Sequence, residues 1–397
     1  MMAYCIFMII KNKLRDIAPV IMDSNSFPVI VSNIGISSPN DELSIELLKA
    51  KTAINAGADI ISDLSLTTNI AEIQKKYLDD IHKPFSSVSV YETYCKFQEG
   101  ILPSLSPESF ICDFENQAMR GIDLITLHAS VFKDDINLIK SSKRLIPTTS
   151  RGGTMMLHCL CAFGYENPYY VYFDDILNIA KKYNVCISLG PVYRPGSVWD
   201  CQMENSLHII ELSRMGQLVN RANAAGVGIA VEGIGHAPLN MIPPLISRAK
   251  DICGNIPYRV LTVSTDIAMG YDHISSAIAS AVAVQNGADS ITCVTRSEHL
   301  GLPSIEDIYE SVVCARIAAE SGFRARQHDF PLDYTASLAR RQSGCYAVSE
   351  GFMFINEIAK IDRGKHMGKS CGMCGQYCPF LILDNIRPCL ENKSCTN

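Results

Sequence analysis

Along most of the chain, short apolar runs rich in β-branched residues alternate with longer stretches whose apolar positions recur every three to four residues. The strand-like runs fall at 28–32, 59–64, 86–90, 124–128, 186–189, 228–232, 259–263 and 290–294. Helical periodicity fills much of the space between and after them, at 43–56, 173–183, 207–225 and 305–321, with shorter helical patterns at 137–145 and 274–284. Near-continuous apolar strands separated by helices predict parallel pairing with both sheet faces covered. Eight such units predict an α/β fold, a (β/α)8 TIM-type barrel rather than an open doubly wound sheet. The polar residues support this choice. Asn33, Asp63, Ser65, His128, Arg194, Glu232, His236, Asp266 and His299 all lie at or just after the C-terminal ends of expected strands. A barrel gathers those ends on one face, where an open sheet would gather only a few.

The alternation sets the expected organisation. Residues 1–26 form an N-terminal leader, 27–325 the catalytic barrel, and 326–397 a C-terminal helical segment (with a further helix at 351–361) that ends in a Cys-rich tail. The apolar run from Tyr4 to Ile10 is too short to span a bilayer, and no positive charge precedes it as in a signal peptide. It reads as a short buried strand or a disordered leader, and the protein is expected in the cytoplasm.

Composition narrows the function classes. Of 397 residues, 47% are hydrophobic, enough for one large core, and the formal charge of −6 offers no basic footprint for nucleic acid. A local pocket for a small phosphorylated ligand remains compatible with that charge. Most of the 16 cysteines stand singly in apolar segments, Cys186, Cys253, Cys293 and Cys314 among them, as small core residues do. The exception is the crowd at Cys371, Cys374 and Cys378. Nothing suggests a disulfide framework.

That crowd reads Cys371-Gly-Met-Cys374-Gly-Gln-Tyr-Cys378-Pro. Three thiolates within eight residues can hold three corners of a [4Fe–4S] cluster and leave the fourth iron to an amino acid's amine and carboxylate. A structural zinc completed by His366, Cys389 or Cys395 is the alternative the spacing leaves open. His236, in Glu232-Gly-Ile-Gly-His236-Ala-Pro, and His299, in Glu298-His299-Leu-Gly-Leu-Pro, each follow an expected strand, with one βα unit between them. Two neutral imidazoles facing one pocket can bind a divalent metal, though a loop histidine is more often structural. Ser150-Arg151-Gly152-Gly153 and Arg194-Pro-Gly196 can wrap a phosphate with backbone N–H groups and guanidinium, or form plain turns. In the polar loop Thr265–His273, Asp272 or Ser275 is a candidate cap for the helix that follows.

At these residues the sequence resembles the ThiC family of phosphomethylpyrimidine synthases and its sister branch, the 5-hydroxybenzimidazole synthases (BzaF and relatives). The matching blocks are SNIG at 32–35, DLS at 63–65, LHA at 127–129, SRGG at 150–153, RPG at 194–196, EGxGHxP at 232–238, STDIAxGYDHI at 264–274 and EHLGLP at 298–303, with the cysteine tail behind them. The resemblance covers about residues 27–380 in one order. It implies a (β/α)8 barrel with a C-terminal cluster segment, a homodimer, and a radical rearrangement of 5-aminoimidazole ribotide initiated from S-adenosylmethionine. Carried over residue by residue, it implies that Asn33, Tyr91, His128, Ser150, Arg151, Gly152, Arg194, Glu232 and Tyr258 hold substrate. His236 and His299 would hold a second metal, zinc or iron, and Cys371, Cys374 and Cys378 the [4Fe–4S] cluster. Glu232 and the three cysteines would carry the chemistry, with electrons from a donor such as flavodoxin or ferredoxin.

The departures concentrate at the expected pocket. Ser62 stands where the family has methionine before DLS, and DLSTG becomes DLSLT. DGLRPG becomes Pro191-Val-Tyr-Arg194-Pro-Gly, which loses an acid, and Tyr193 is expected to offer the pocket a bulkier face and a hydroxyl. The cluster motif is CX2CX3C rather than CX2CX4C, and the stretch ahead of the barrel is short. The leading expectation is a radical S-adenosylmethionine lyase making 4-amino-5-hydroxymethyl-2-methylpyrimidine phosphate for thiamine biosynthesis. The alternative is 5-hydroxybenzimidazole for the cobamide (vitamin B12) lower ligand. More distant readings are a zinc-dependent barrel lyase and a non-catalytic paralog that pairs with an active homologue.

Overall fold

The computed structural model describes residues 7–37, 42–101, 104–203, 206–343 and 374–387. The chain divides into two compact units, Met1–Arg326 and Gln327–Asn397. The first is a closed barrel of eight parallel strands preceded by a two-stranded hairpin. The hairpin strands are β1 (Met8–Ile10) and β2 (Val20–Met22). The barrel strands are β3 (Val29–Ile34), β4 (Ile60–Asp63), β5 (Phe85–Val88), β6 (Leu124–Leu127), β7 (Cys186–Leu189), β8 (Ile229–His236), β9 (Tyr258–Val263) and β10 (Ser290–Thr292). Each pairs in parallel with the next, and β10 closes on β3 with Ser290 opposite Val29. All eight expected strands are present. The longest, β8, runs beside β9 from Val231↔Tyr258 to His236↔Val263, so its last turn stands above the rest of the barrel.

Three short sequences, Gly57-Ala-Asp59, Gly121-Ile-Asp123 and Gly287-Ala-Asp289, start strands in the same way. Each glycine ends the preceding helix or loop at positive φ, where only glycine is unstrained. Two residues on, the carboxylate accepts the backbone N–H at the start of the neighbouring strand: Asp59 from Ile30, Asp123 from Phe85 and Asp289 from Tyr258, at 2.8–3.0 Å. The register between neighbours is thereby fixed at the N-terminal end.

That end is plugged by the hairpin. Alternation puts Met8, Ile10 and Met22 inward and leaves Ile9 and Ile21 exposed. The inward three pack with Val29, Val31, Ile60, Leu124, Cys186 and Ala230 from inside the barrel. A Cβ on Gly228 would lie 2.9 Å from Met8 Cγ, so glycine is needed for the plug to enter. Asn12 then ties the chain down, its amide donating to Ala118 and Ile122 carbonyls and its backbone N–H to Asp123. Of the two readings of the Tyr4–Ile10 run, the described part is a buried strand.

Helices at Leu43–Ala56, Phe173–Tyr183, Ser206–Ala225 and Asp272–Gln285 fall where the periodicity expects them. The helix Ile305–Gln327 runs beyond its expected end, and the short Asp135–Ser141 stops before residue 145 because Asp200 accepts the Leu145 and Ile146 N–H groups outside a helix. In the second unit the described elements are helices Pro331–Ser343 and Pro379–Asn385 and the turn Gly375–Tyr377. The expected helix at 351–361 lies outside the described residues. Among the described residues no helix is long and apolar enough to cross a membrane.

Candidate active site

Above the plug the inward positions change character. On β4, β6, β7 and β8 the apolar Ile60, Leu124, Cys186 and Ala230 are followed two residues on by Ser62, Thr126, Ser188 and Glu232, joined by Ser86, Arg259 and Thr292 from β5, β9 and β10. Glu232 Oε1 accepts from Thr126 Oγ1 (3.1 Å), Ser188 Oγ (2.7 Å) and Arg259 Nη1 (2.8 Å), joining β6, β7, β8 and β9. Arg259 Nη2 reaches Thr292 on β10, and Ser86 donates to Ser62, Ser62 standing where methionine was expected. Burial raises the Glu232 pKa, but Arg259, Ser188 and Arg194 outweigh it and hold the carboxyl below its ordinary value. A fixed anion therefore lies under the C-terminal mouth.

His128 follows β6 and is buried, its Nδ1 without a hydrogen-bond partner among the described residues. Burial drives its pKa down to about 4, so it is neutral at ordinary pH. Gly152 and Gly190 make room for it: a Cβ on Gly152 would lie 2.3 Å from the ring, and one on Gly190 2.9 Å from Nε2. Gly152 belongs to the first turn of the helix Arg151–Phe163, whose N-cap Ser150 accepts from Gly153 N–H. Uncommitted N–H groups and the positive end of that helix suit an anion. Arg151, at the first helical position, lies over the buried Tyr91 ring at 5.8 Å. A cavity of about 150 Å³ opens beside it, lined by Asn33, Arg151, Thr295 and Glu298 among others.

The loop carrying Arg194 is held from every side. Glu211, fully buried, accepts the N–H groups of Val192 and Tyr193, and Arg144 donates to the Tyr193 carbonyl. Thr148 donates to the Val192 carbonyl, and the Pro195 carbonyl accepts from His236 N–H. Arg194 itself makes no hydrogen bond or ion pair among the described residues, so its guanidinium is available to a ligand. Tyr193 does not line the pocket as expected. It is 1% exposed and donates to Asp135, which is clamped by Arg214, so ring and hydroxyl belong to the outer layer.

Tyr258 is a similar exception within the expected substrate-holding set. Its strand neighbour Arg259 points inward, so alternation turns the Tyr258 ring toward the helices. It packs in the outer core, and a Cβ on Gly233 would collide with its hydroxyl. Asn33, His128 and Glu232 lie on the interior side, while Tyr91, Ser150, Arg151, Gly152 and Arg194 ring the mouth.

His236 ends β8 and His299 follows β10, and their rings meet edge to face with centroids 5.3 Å apart. The intervening β9 loop supplies a carboxylate to each: Asp266 Oδ1 to His236 Nδ1 at 2.6 Å, and Asp272 Oδ1 to His299 Nδ1 at 3.1 Å. A carboxylate on Nδ1 fixes the proton there and leaves Nε2 as the ligating atom, the usual outer-shell arrangement around a metal-binding histidine. The pair thus fits a divalent ion. Among the described residues no three His, Cys, Asp or Glu close on one point, so substrate, cofactor or water would complete the coordination. Asp272 sits in the first turn of its helix without capping it, and Ser275 instead accepts the Ser264 and Thr265 N–H groups.

In the second unit, Cys374 and Cys378, neither in a disulfide among the described residues, stand on either side of the turn Gly375–Tyr377, with Tyr377 N–H donating to the Cys374 carbonyl. One tight turn between two thiols fits adjacent corners of a small cluster. Cys371 lies outside the described residues, as do His366, Cys389 and Cys395.

The sequence reading missed Arg259, the polar layer it anchors, and the carboxylates behind the histidines. Arginine inside an apolar strand was the available signal, since a buried cation calls for an anion on a neighbouring strand. The pairing of Asp266 and Asp272 with particular histidines had no such signal, because it depends on how one loop crosses two strand ends.

Comparison with known proteins adds identity to this geometry. The chain is 38% identical over 364 residues to a phosphomethylpyrimidine synthase of Carboxydothermus hydrogenoformans, covering 89% of this chain and 83% of that protein. It is 35% identical over 387 residues to the phosphomethylpyrimidine synthase of Methanocaldococcus jannaschii, covering 95% and 90%. A dihydropteroate synthase structure from Coxiella burnetii, in complex with pteroic acid, is similar at 13% identity and a TM-score of 0.47, covering 81% of this chain and all of that one, a likeness too slight to carry an argument. The sequence profile described as Radical SAM ThiC family matches residues 2–385. With that match and those relatives, the chain belongs to the radical SAM ThiC family.

Proposed function

We propose that this protein is a radical S-adenosylmethionine lyase that rearranges 5-aminoimidazole ribotide into 4-amino-5-hydroxymethyl-2-methylpyrimidine phosphate, the pyrimidine unit of thiamine. One observation carries the reading: an anion cradle and a carboxylate-backed histidine pair open at the same mouth, above one part-buried, ionised carboxylate. In this reading Arg151, Arg194 and the N–H groups around Ser150 and Gly152 hold the substrate phosphate. Asn33, Tyr91 and neutral His128 orient the ring and sugar. Glu232, kept ionised by Arg259, accepts protons released during the rearrangement. Tyr258 acts from behind β8, setting the position of Gly233.

His236 and His299 hold zinc or ferrous ion through Nε2, and Cys371, Cys374 and Cys378 hold the [4Fe–4S] cluster. When bound, the cluster and S-adenosylmethionine supply the initiating 5′-deoxyadenosyl radical, with an electron from a flavodoxin or ferredoxin. The protein works as a homodimer in the cytoplasm. The 5-hydroxybenzimidazole product is the second reading, favoured by Pro191, which brings no carboxylate to the loop beside Arg194.

The test is mass spectrometry of products from anaerobically reconstituted protein given 5-aminoimidazole ribotide, S-adenosylmethionine and a reductant. The pyrimidine phosphate with 5′-deoxyadenosine supports the first product, and 5-hydroxybenzimidazole replaces it by the second. No 5′-deoxyadenosine from a protein with about four irons per chain overturns the radical reading in favour of a non-catalytic paralog, and a tail that takes up zinc but no iron favours a zinc-dependent lyase.

A further inference from the structure

The carboxylate behind His236 has a second attachment. Asp266 Oδ1 meets His236 Nδ1 at 2.6 Å, and Oδ2 accepts the backbone N–H of Val198 at 2.7 Å. Val198 lies four residues beyond Arg194 and opens the short helix Val198–Met203. Between Arg194 and Val198, the Pro195 carbonyl accepts from His236 N–H at 2.9 Å. The segment from Arg194 to Val198 is therefore bound twice to the histidine that ends β8, once through backbone and once through Asp266.

From this geometry we infer that Asp266 is a positioning residue that couples the metal site to the anion-holding loop: it sets the ligating tautomer of His236 and, with the same carboxylate, the position of the segment that carries Arg194. The inference rests on the metal and substrate roles proposed above. A carboxylate is acceptor-only, so it can accept hydrogen bonds from Nδ1–H and from an amide N–H at once. Those two demands place the ring proton on Nδ1 and the lone pair on Nε2. With a cation held at Nε2 the Nδ1–H would be more acidic and would donate more strongly to Asp266 Oδ1, and the same carboxylate would carry that change to the Val198 N–H. Metal and ribotide affinities then become linked, each raising the other by the same factor.

The chain's single tryptophan, Trp199, is the residue after Val198 and is half exposed, so it reports on this link without a label. The experiment uses the full chain with its cluster reconstituted, non-cluster metal removed by a mild chelator, and zinc added alone against a competing indicator. In the unaltered protein, zinc should shift Trp199 emission and raise ribotide affinity by about fivefold or more. Asp266→Asn should weaken zinc binding about 10- to 100-fold. If its amide oxygen keeps the Val198 N–H, its NH2 faces Nδ1 and sends the ring proton to Nε2, where it blocks the metal. Asp266→Ala, loaded with saturating zinc, should show neither the emission shift nor the gain in ribotide affinity.

His236→Ala separates the two levels of the argument. Unchanged zinc affinity in His236→Ala would remove the metal site, and this inference with it. Zinc binding lost in His236→Ala but at the unaltered level in Asp266→Asn would overturn the inference alone. So would a full Trp199 response in zinc-loaded Asp266→Ala.

Discussion

At the N-terminal end of the barrel the inward residues are Val29, Val31, Ile60, Leu124, Cys186 and Ala230, and a hairpin presses Met8, Ile10 and Met22 into them. One inward position further along, β4, β6, β7 and β8 present Ser62, Thr126, Ser188 and Glu232, joined by Arg259 from β9 and Thr292 from β10. The strands change role over a few residues because alternation gives each only two or three inward positions, and these divide between the ends. The closed end carries stability by excluding water. The open end carries a charge and a hydrogen-bond network whose burial costs free energy that the closed end must offset. Variants at the two ends should therefore fail in different ways.

The largest effect is expected from Arg259→Ala. It leaves the part-buried Glu232 without its cation, which should cost up to about 3–5 kcal/mol of stability and raise the Glu232 pKa. Urea denaturation checks the first and the pH dependence of ribotide binding the second. At the closed end, Ile10→Ala should cost about 2–4 kcal/mol by opening a cavity under the barrel, yet leave zinc and ribotide affinities unchanged at a temperature where the protein stays folded. A loss of ligand affinity comparable to its loss of stability would erase the division between the ends.

The smallest effect concerns His128, whose pKa is lowered from 6.5 to about 4 by burial. Below pH 6.5 the unfolded chain takes up a proton that the native barrel refuses until about pH 4. This residue's contribution thus makes stability fall as pH drops through that window, and it is flat above it. His128→Gln removes that contribution, so between pH 6.5 and 5 the variant should lose about 1–2 kcal/mol less than the unaltered protein in urea titrations. Equal pH slopes would show that the imidazole is solvated.

The fold was legible because eight apolar runs, each bounded by helical periodicity, leave few topologies open. Strand 186–189 and helices 43–56 and 173–183 fall on the expected residues. The hairpin was only half legible: three-residue strands are too short to show a period, and what makes them strands is the apolar opening they fill. In the site, residues at or just past the C-terminal ends of the expected strands were readable from position alone, hence the placement of Asn33, His128, Glu232, His236 and His299 in or after the last part of their strands. Orientation was not readable in loops, where no period applies. Tyr193 was expected in the pocket but finds Asp135 and Arg214 in the outer layer instead. Tyr258 faces outward because Arg259 takes the inward position beside Glu232.

The division between the ends is tested most directly by calorimetric titration of 5-aminoimidazole ribotide into three reconstituted proteins: unaltered, Arg194→Ala and Ile10→Ala. Arg194 has no partner among the described residues, so its removal should not unfold the loop that Glu211 and Arg144 hold. A lost charge-assisted phosphate contact should weaken binding about 10- to 100-fold, while Ile10→Ala binds as the unaltered protein does. Undiminished affinity in Arg194→Ala, or equal weakening in Ile10→Ala, would contradict the assignment of the open end to substrate.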